Sequence, residues 1–251
     1  MDFNNDSRFD LLWRNSSTGE ISTWLMKDDV PLTESYIDTV SDLEWRVVAE
    51  ADFNADRKTD LLLRNSTTGA NVAWYLNGVS YTESAELPTL SDPNEYVGGV
   101  ADMNGDGESD IVWRNAATGE NTVWLMDGAT RTDTYSLPSV QDNDWEIVGV
   151  SDFNQDGKAD IVWRNTATGE NEAWYMDGVT YAGEGSLPPV ADTNWNILRV
   201  ADTNGDGDGD LFWHNAITNE TVIWCMSGTI LMDIAERNLT VGDNWLLFDW
   251  E

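Results

Sequence analysis

Four acidic or amide side chains stand on alternate positions of the segment DFNQDGKAD, which runs from Asp152 to Asp160. Side-chain oxygens on alternate residues of a tight loop converge on one point, a backbone carbonyl can add another ligand, and a glycine permits the sharp bend. Hard oxygen ligands without His or Cys suit Ca²⁺. The same frame occurs five times in all, at intervals of fifty residues, so the sequence predicts a series of calcium loops.

The alternative for each loop is a hairpin whose Asp and Asn side chains only satisfy backbone donors. That alternative explains one or two acids, but it does not account for four on alternate positions. The loop resembles the first half of an EF-hand loop, yet it has no flanking helices and no Glu at the twelfth place. We expect the ions to be structural, because a loop that supplies the whole ligand shell leaves little room for a substrate.

The charge balance excludes several classes of partner. The 251 residues include 46 Asp and Glu against 13 Lys and Arg, a formal net charge of -33. Binding to nucleic acid or anionic lipid would bring like charges together and release no counterions. No stretch approaches the roughly 20 apolar residues of a membrane span. We therefore expect a folded, Trp-rich monomer that neither binds nucleic acid nor inserts into a membrane.

The fifty-residue period contains four short strand-like segments in each copy, and the copies align without insertions or deletions. In the fourth copy these segments are WEIVGV (145–150), DIVWRN (160–165), NEAWYM (171–176) and VTYAGEGSLPPV (179–190). Helical spacing is nowhere sustained. Four strands joined by three hairpins make an antiparallel sheet of about the size of one propeller blade.

The predicted turns carry separate signals. The second hairpin has a slot for positive φ, filled by Gly19, Gly69, Gly119, Gly169 and Asn219. The third hairpin has pairs typical of a type I′ turn, namely Asn77-Gly78, Asp127-Gly128 and Asp177-Gly178, with weaker versions at Ser227-Gly228 and Asp28-Asp29. Both hairpins therefore favour the four-stranded sheet.

We predict an all-β, five-bladed β-propeller of four-stranded antiparallel blades, formed by a single domain over residues 1–251. The predicted blades are 2–41 with 242–251, then 42–91, 92–141, 142–191 and 192–241. The first blade lacks an innermost strand and NWLLFDW (244–250) is an extra copy of one, so the C-terminal strand should complete that blade and close the ring. A superhelical β-solenoid is the alternative, although it would not need these complementary ends.

The loop, the DIVWRN-type strand after it and the period together resemble FG-GAP/VCBS repeats, the calcium-binding repeats also seen in integrin α-subunit propellers. This resemblance covers the whole chain and implies three to five calcium ions, each held by four side chains and one backbone carbonyl. The implied ligands in the first two loops are Asp2, Asn4, Asp6, Arg8 and Asp10, then Asp52, Asn54, Asp56, Lys58 and Asp60. Those in the last three are Asp102, Asn104, Asp106, Glu108 and Asp110, then Asp152, Asn154, Asp156, Lys158 and Asp160, then Asp202, Asn204, Asp206, Asp208 and Asp210. The first two loops have Ser7 and Arg57 in the glycine position, which should weaken them.

A candidate ligand surface is predicted at the ends of the strands opposite the calcium loops. Aromatic rings beside fixed amide, guanidinium and carboxylate groups suit sugars, and several weak sites would add avidity. Its residues are Arg14, Trp45, Arg64, Arg114, Trp145, Arg164, Trp195, His214 and Trp245. The alternative is structural, with each Trp wedged between blades and each Arg paired with a carboxylate or stacked on a ring. Glu95 and Tyr96 interrupt the pattern in the second connection.

Catalysis is not predicted. An enzyme usually shows one unrepeated constellation, whereas these polar features recur almost uniformly. The single His is His214, and the single Cys, Cys225, should pack as a small apolar residue. Paired carboxylates leave glycoside cleavage open. Some polysaccharide lyases are similar calcium-bearing propellers, but a gapless period leaves no room for their extra catalytic loops.

The predicted function is that of a calcium-stabilised, non-catalytic binding module, either carbohydrate-binding or adhesive, whose partner is a glycan or a protein. The alternative is a structural or protein-interaction domain of a larger secreted or surface protein, or an engineered repeat propeller. Loops of this kind can bind calcium in the range found outside cells, so we expect an extracellular or cell-surface location. Met1 occupies the slot of Ala51, and we expect that the sequence begins within a repeat and that its leader lies elsewhere.

Overall fold

The computed structural model describes residues 2–6, 8–27, 30–237 and 245–247. Every regular element in these ranges is a β-strand. The strands form five separate four-stranded sheets, and neighbouring strands are antiparallel in each pairing described. The predicted all-β fold of five blades, the β-propeller class, is confirmed.

The blades follow the fifty-residue period of the sequence. Blade 1 contains β1 (Leu11–Asn15), β2 (Glu20–Lys27), β3 (Val30–Thr39) and β20 (Trp245–Leu247). Blade 2 contains β4 (Trp45–Ala51), β5 (Asp60–Asn65), β6 (Asn71–Asn77) and β7 (Ser80–Leu87). Blade 3 contains β8 (Glu95–Ala101), β9 (Asp110–Asn115), β10 (Asn121–Asp127) and β11 (Thr130–Leu137). Blade 4 contains β12 (Trp145–Ser151), β13 (Asp160–Asn165), β14 (Asn171–Asp177) and β15 (Thr180–Leu187). Blade 5 contains β16 (Trp195–Ala201), β17 (Asp210–Asn215), β18 (Thr221–Ser227) and β19 (Ile230–Arg237).

The C-terminal strand completes the N-terminal blade. Strand β20 pairs antiparallel with β1, with Leu247 opposite Trp13 and Trp245 opposite Asn15. The order of this sheet is β20-β1-β2-β3, so β20 supplies the strand that the first repeat lacks, as predicted. The Asp28-Asp29 turn, Ser7 and the ends of the predicted C-terminal segment lie outside the described residues.

Contacts between Cα atoms divide the chain into two compact units. One comprises Met1–Pro93, Met126–Arg131 and Thr240–Glu251, and the other comprises Asn94–Leu125 and Thr132–Leu239. The first unit holds the sheets of blades 1 and 2. The second holds the sheets of blades 4 and 5 and most of the sheet of blade 3.

Within the second unit, the core lies between the sheets of consecutive blades. Trp163 of blade 4 is 1% exposed and packs in one cluster with Val112 and Val123 of blade 3. Trp213 of blade 5 is likewise 1% exposed and packs with Val162 of blade 4. The sheets of blades 3, 4 and 5 therefore bury apolar side chains against one another, which removes Trp163 and Trp213 from water.

The first strands of consecutive blades approach closely at glycines. A Cβ atom on Gly98 would lie 2.6 Å from Cγ2 of Ile147 in the next blade, and one on Gly149 would lie 2.6 Å from Cγ2 of Val200. Both distances are shorter than carbon atoms tolerate. The absence of a side chain at these positions therefore permits the spacing of β8, β12 and β16.

The positive-φ slot of the second hairpin is confirmed. The φ angles are 76°, 70°, 73° and 78° at the four glycines and 59° at Asn219. In blade 4, a Cβ atom on Gly169 would overlap the carbonyl oxygen of Val190. The slot therefore excludes side chains in that blade by both backbone angle and space.

The predicted type I′ geometry of the third hairpin is wrong. Asn77 pairs with Ser80, so the central turn residues are Gly78 and Val79, and Asn77 is the last strand residue. Only Gly78 of this pair has positive φ, at 64°, which is the pattern of a type II′ turn with glycine at the first central position. The prediction failed because the Asn-Gly pair fits two registers that differ by one residue. Asn77 and Gly78 can both be central turn residues, or Asn77 can end the strand and Gly78 can be the first central residue.

Candidate metal-binding loops and ligand surface

Four of the five acidic loops connect the first and second strands of a blade, and loop 1 (2–10) precedes β1. The geometry of loop 3 (102–110) illustrates them. Asp102 accepts hydrogen bonds from the backbone N–H of Gly105 at 2.7 Å, Asp106 at 3.1 Å and Gly107 at 2.8 Å. Asn104 Oδ1 accepts a further one from Asp106 at 2.8 Å. These are the bonds of the alternative described above, in which Asx side chains fold the loop. Each bonded oxygen has two lone pairs, so such bonds do not by themselves prevent coordination.

Two positions in each of loops 2 to 5 have positive φ, and sequence reasoning found only one of them. At the sixth position Arg57 has φ 64° and Gly107 has φ 92°. At the fourth position Gly105 has φ 80°, but Ala55 and Gln155 also lie at 59° and 63°. Gly105 and Gly205 at the fourth position of loops 3 and 5 were the available signal for this second bend. The signal was not recognised because the other loops carry residues with side chains at that position.

The last acid of each loop is buried rather than turned to solvent. Asp10, Asp60, Asp110, Asp160 and Asp210 are all 0% exposed. In loop 4, Asp160 accepts backbone hydrogen bonds from Phe153 at 2.9 Å and Met176 at 2.8 Å. This carboxylate therefore fastens the loop to β14, a role that the sequence did not reveal.

Burial raises the pKa of Asp160 to about 6, and the nearby carboxylates of Asp152 and Asp156 also raise it, whereas the two backbone hydrogen bonds lower it. Asp60 behaves in the same way, with its pKa raised to about 6 by desolvation first. Loops 2 and 4 therefore gather negative charge around a carboxylate that is buried from water.

The donor set of the loops fits calcium in its chemistry. The predicted ligands are carboxylate, amide and backbone carbonyl oxygens, the atoms that Ca²⁺ prefers. Within the part of the chain that the structure describes, no three His, Cys, Asp or Glu side chains are grouped closely enough to hold an ion. Coordination would therefore draw on the Asn and backbone oxygens and on rotation of exposed carboxylates such as Asp106.

The seventh loop position distinguishes the loops by charge. Arg8 Nη1 lies 3.4 Å from Asp6 and Lys58 Nζ lies 3.0 Å from Asp56, so a cation already faces the central acid of loops 1 and 2. Lys158 of loop 4 instead pairs with Asp177 on the third hairpin at 2.5 Å. Loops 3 and 5 carry an acid at this position, Glu108 and Asp208. Loops 3 and 5 therefore carry four acidic side chains each, one more than the other loops.

Side-chain hydrogen bonds join loop 4 to blade 5. Gln155 Nε2 donates to both carboxylate oxygens of Asp208, at 3.0 and 2.9 Å, and lies 3.3 Å from Ser227 Oγ. The third hairpin of blade 5 also approaches this loop, because a Cβ atom on Gly228 would lie 3.0 Å from the carbonyl oxygen of Phe153. The acidic loops and the third hairpins thus lie at the same strand ends, as predicted.

At the opposite strand ends, the side chains of the predicted ligand-binding arginines are buried in the protein rather than exposed to solvent. Arg114 is 1% exposed, and its guanidinium donates to Gly119 O at 3.3 Å, Asn121 Oδ1 at 3.1 Å and Val140 O at 3.2 Å. Its Cζ lies 5.0 Å from the centre of the Trp163 ring. The other three, Arg14, Arg64 and Arg164, are also buried. The predicted structural alternative of ring stacking is present at Arg114 and Arg164.

The Asn residues beside these arginines are also engaged. Asn165 is 3% exposed, and its Oδ1 accepts backbone hydrogen bonds from Ala167 at 3.0 Å and Thr168 at 2.8 Å. The same pair of bonds recurs at Asn65 and Asn115. The Asn oxygen therefore folds the second hairpin.

The predicted tryptophans remain partly accessible. Trp45, Trp145 and Trp195 are half-buried and lie opposite the Asn residues of the adjacent strand. Exposed carboxylates lie three residues before each of them, at Asp42, Asp142 and Asp192. His214 is half-buried opposite Asn196, and the side chain of Trp245 is outside those described. What this surface offers a ligand is therefore partly exposed tryptophan side chains and carboxylates rather than guanidinium groups.

Blade 3 departs from this arrangement, as the sequence indicated. Tyr96 lies opposite Arg114 in the sheet, and its hydroxyl accepts a hydrogen bond from the backbone N–H of Ile147 at 2.9 Å. Glu95 accepts one from Asn115 Nδ2 at 3.1 Å. These side chains join β8 to its neighbours in place of the tryptophan.

The sheets and the repeated loops define a β-propeller built from tandem repeats. A profile of the FG-GAP-like repeat matches residues 52–113, 102–163 and 152–213, which together span more than half of the chain. The chain belongs to this repeat family, and the predicted resemblance is confirmed. No curated protein matches the sequence.

Solved structures support the fold. A chain of the Photorhabdus luminescens Tc holotoxin pore is 17% identical with a TM-score of 0.50, and the match covers 97% of this chain but only 12% of that one. A chain of a nidogen/laminin complex is 12% identical with a TM-score of 0.51, covering 90% of this chain and 92% of that one.

Among the described residues, no helix is long and apolar enough to cross a membrane.

Proposed function

We propose that the protein is a calcium-stabilised, non-catalytic binding module that acts outside the cell or on its surface. The observation that carries the proposal is the charge of loops 3 and 5. Each adds an acid at the seventh position to the acids at the first, fifth and ninth. A divalent cation would offset the repulsion among these carboxylates and use oxygen ligands that suit Ca²⁺.

The five loops should differ in calcium affinity. Loops 3 and 5 bind most tightly, loop 4 follows, and loops 1 and 2 bind most weakly because Arg8 and Lys58 compete with the ion for the central acid. In loop 2, the positive φ at Arg57 adds backbone strain. We therefore expect three to five bound ions, because the affinity of a calcium site depends on the number of its charged ligands.

Isothermal titration with Ca²⁺ tests the metal proposal. Wild type should titrate several sites, and Asp106→Ala should remove one tight site and leave the others unchanged. The matched control is Asp133→Ala, which removes an exposed acid from β11 of the same blade and should not change the stoichiometry. Titration heats that are absent in wild type, or lost equally in both variants, would contradict the proposal.

The ligand class proposed for the opposite strand ends is carbohydrate. Half-buried tryptophans with exposed carboxylates nearby offer an apolar ring for a sugar C–H face and acceptors for its hydroxyls. The inward-facing arginines leave recognition to these two groups. Three equivalent positions, at Trp45, Trp145 and Trp195, would bind a multivalent glycan with avidity.

A glycan array tests this part separately from calcium. We expect binding by wild type and at least a tenfold loss of avidity in Trp145→Ala/Trp195→Ala, with calcium stoichiometry retained. Tyr135→Ala is the matched control because Tyr135 is a partly exposed aromatic residue on an outer strand, at 39%. No glycan binding by calcium-loaded wild type would reject carbohydrate as the ligand class and leave the metal proposal standing.

A further inference from the structure

Asn is followed by Gly at three places in the chain, Asn77-Gly78, Asn104-Gly105 and Asn204-Gly205. Asn is a chemically labile residue, and a following glycine increases the lability because no side chain hinders its nitrogen from reaching the Asn amide carbon. The three pairs are equivalent in sequence, but the structure places them in two different environments.

The pairs in the acidic loops are held by hydrogen bonds. Gly105 N, the atom that would attack, donates to Asp102 Oδ1 at 2.7 Å. The Asn104 side chain is fixed at both ends, because Oδ1 accepts from Asp106 N and Nδ2 donates to Asp106 Oδ2, each at 2.8 Å. Loop 5 repeats these bonds around its own pair. Reaction in either loop therefore requires several hydrogen bonds to break together.

The remaining pair lies at the tip of the third hairpin of blade 2. Asn77 is exposed, and its side chain makes no hydrogen bond within the described part of the chain. Asn77 ends β6 opposite Ser80, so the N–H of Gly78 lies outside the strand register. Only the terminal pair of a surface hairpin has to open for reaction at this site.

The reaction consumes only water. The Gly78 nitrogen attacks Asn77 Cγ, a C–N bond forms, the Cγ–Nδ2 bond breaks, and the proton of the glycine nitrogen leaves with the amide as ammonia. Water then opens the cyclic imide at either carbonyl and gives aspartate or its β-linked isomer. Both products replace a neutral amide with a carboxylate.

Blade 4 shows what a carboxylate does at this position. Asp177 is the equivalent of Asn77, and it pairs with Lys158 Nζ at 2.5 Å. Lys158 makes this pair although Asp156, the central acid of its own loop, is also near. The hairpin acid is therefore the preferred partner of a lysine at the seventh loop position.

Blade 2 has the lysine but not the hairpin acid, and Lys58 pairs instead with Asp56 at 3.0 Å. The backbones of the two blades correspond here. In both, the last acid of the loop accepts a hydrogen bond at 2.8 Å from the residue before the hairpin position, Leu76 in one and Met176 in the other. Both hairpins also carry the same bulge.

We propose that Asn77 is a site of spontaneous deamidation and that the carboxylate formed there replaces Asp56 as the ion-pair partner of Lys58. The exchange leaves the central acid of loop 2 without its cation, as in loop 4. Loop 2 would thereby become a stronger calcium loop, a consequence that rests on the proposed function.

Peptide mapping by mass spectrometry tests the site. Wild type is incubated in mildly alkaline EDTA, and deamidation is followed at each Asn-Gly pair. Asn77 should react at least about tenfold faster than Asn104 and Asn204 in the folded protein, whereas all three should react at similar rates in urea. Equal rates in the folded protein, or slower reaction at Asn77, would overturn the assignment.

The variant Asn77→Asp tests the change of partner. Its crystal structure in EDTA should show Lys58 paired with the new carboxylate and not with Asp56. Asn77→Gln is the matched control, since it keeps a neutral amide and should leave the original pair intact. Lys58 remaining on Asp56 in Asn77→Asp, or leaving it in both variants, would overturn the exchange.

Calcium titration distinguishes this inference from the proposed function. Asn77→Asp should bind one more ion tightly than Asn77→Gln. Equal numbers of tight sites would refute the effect on loop 2 and leave the proposed function standing. Lack of binding by wild type and both variants would contradict the proposed function, and with it the effect on loop 2, but not the deamidation.

Discussion

The sixth loop position shows how one residue's backbone angle sets the quality of a loop. Arg57 is held at φ 64° where three other loops have glycine. This angle costs a residue with a side chain about 1–2 kcal/mol, and the greater freedom of glycine in the unfolded chain returns part of that difference. Arg57→Gly should therefore raise the free energy of unfolding by about 0.5–1 kcal/mol, measured by urea denaturation in EDTA.

Gly107→Ala is the converse control. A Cβ atom at Gly107 would meet nothing within 4 Å, so the substitution tests the backbone angle without a clash. A loss of about 1 kcal/mol is expected. If neither variant changed stability, backbone strain would not distinguish the loops.

Arg114 should act on stability rather than on ligand binding. Its buried guanidinium donates to three backbone carbonyl oxygens and a side-chain amide oxygen, a geometry that the point charge of Lys does not reproduce. Arg114→Lys should lower the free energy of unfolding by about 2–4 kcal/mol, because charge-assisted bonds are lost and buried acceptors are left unsatisfied. Thermal unfolding measures the change.

The matched control is Arg131→Lys, since Arg131 is an exposed arginine on β11 of the same blade, and it should change stability by no more than about 0.5 kcal/mol. A destabilisation of Arg114→Lys as small as that of the control would show that the inward arginine contributes little to the fold.

Individual residues were predicted best at positions that only one or two residue types can readily fill. The positive φ at Asn219 could be predicted because Asn takes the place of Gly in the fifth copy of the repeat. Both residue types tolerate that angle. The burial of Arg114 did not follow from sequence, because an Arg at a strand end has the same neighbours in the chain whether it points inward or outward. Its direction depends on carbonyls such as Val140 O, 26 residues away.

The link between loop 4 and blade 5 operates at the scale of elements. Gln155→Gly keeps the positive φ that loops 3 and 5 achieve with glycine, and it removes the side-chain bonds to Asp208 and Ser227. Hydrogen exchange at the backbone amide of Asp208 should become about fivefold faster, the equivalent of about 1 kcal/mol for one net hydrogen bond.

Gln141→Gly is the control for this measurement, since it removes a Gln from an exposed connection, where the side chain donates to Thr118 O. Exchange at Asp208 should be unchanged in this variant. Equal exchange rates at Asp208 in Gln155→Gly and wild type would show that the loops behave independently.

Strand positions followed from the sequence more reliably than turn geometry did. The strands β12 to β15 were predicted within a few residues, because β-branched and aromatic runs alternate with Gly-containing turns. The third hairpin was placed correctly and given the wrong type. A shift of one residue in register changes which residue must adopt positive φ, and the pair Asn77-Gly78 satisfies both registers.

For the whole molecule, the gapless period allowed the five blades and the completion of the first by the last strand to be predicted. A four-stranded sheet with Trp on both faces needs neighbouring sheets, so the number of repeats indicated the number of blades. The acidic loops were also located correctly. The burial of the last acid was not predicted, since it depends on amides such as Met176 N that belong to another strand.

The central claim is that calcium occupies these loops and stabilises the fold. At a free concentration ten times Kd, each site adds about 1.4 kcal/mol, so three sites add about 4 kcal/mol and raise Tm by about 10 °C for a chain of this size. The most direct measurement is thermal unfolding in EDTA and in millimolar Ca²⁺, with bound ions counted by native mass spectrometry. We predict an upward shift of this order with three to five ions, whereas an unchanged Tm with no bound ion would contradict the claim.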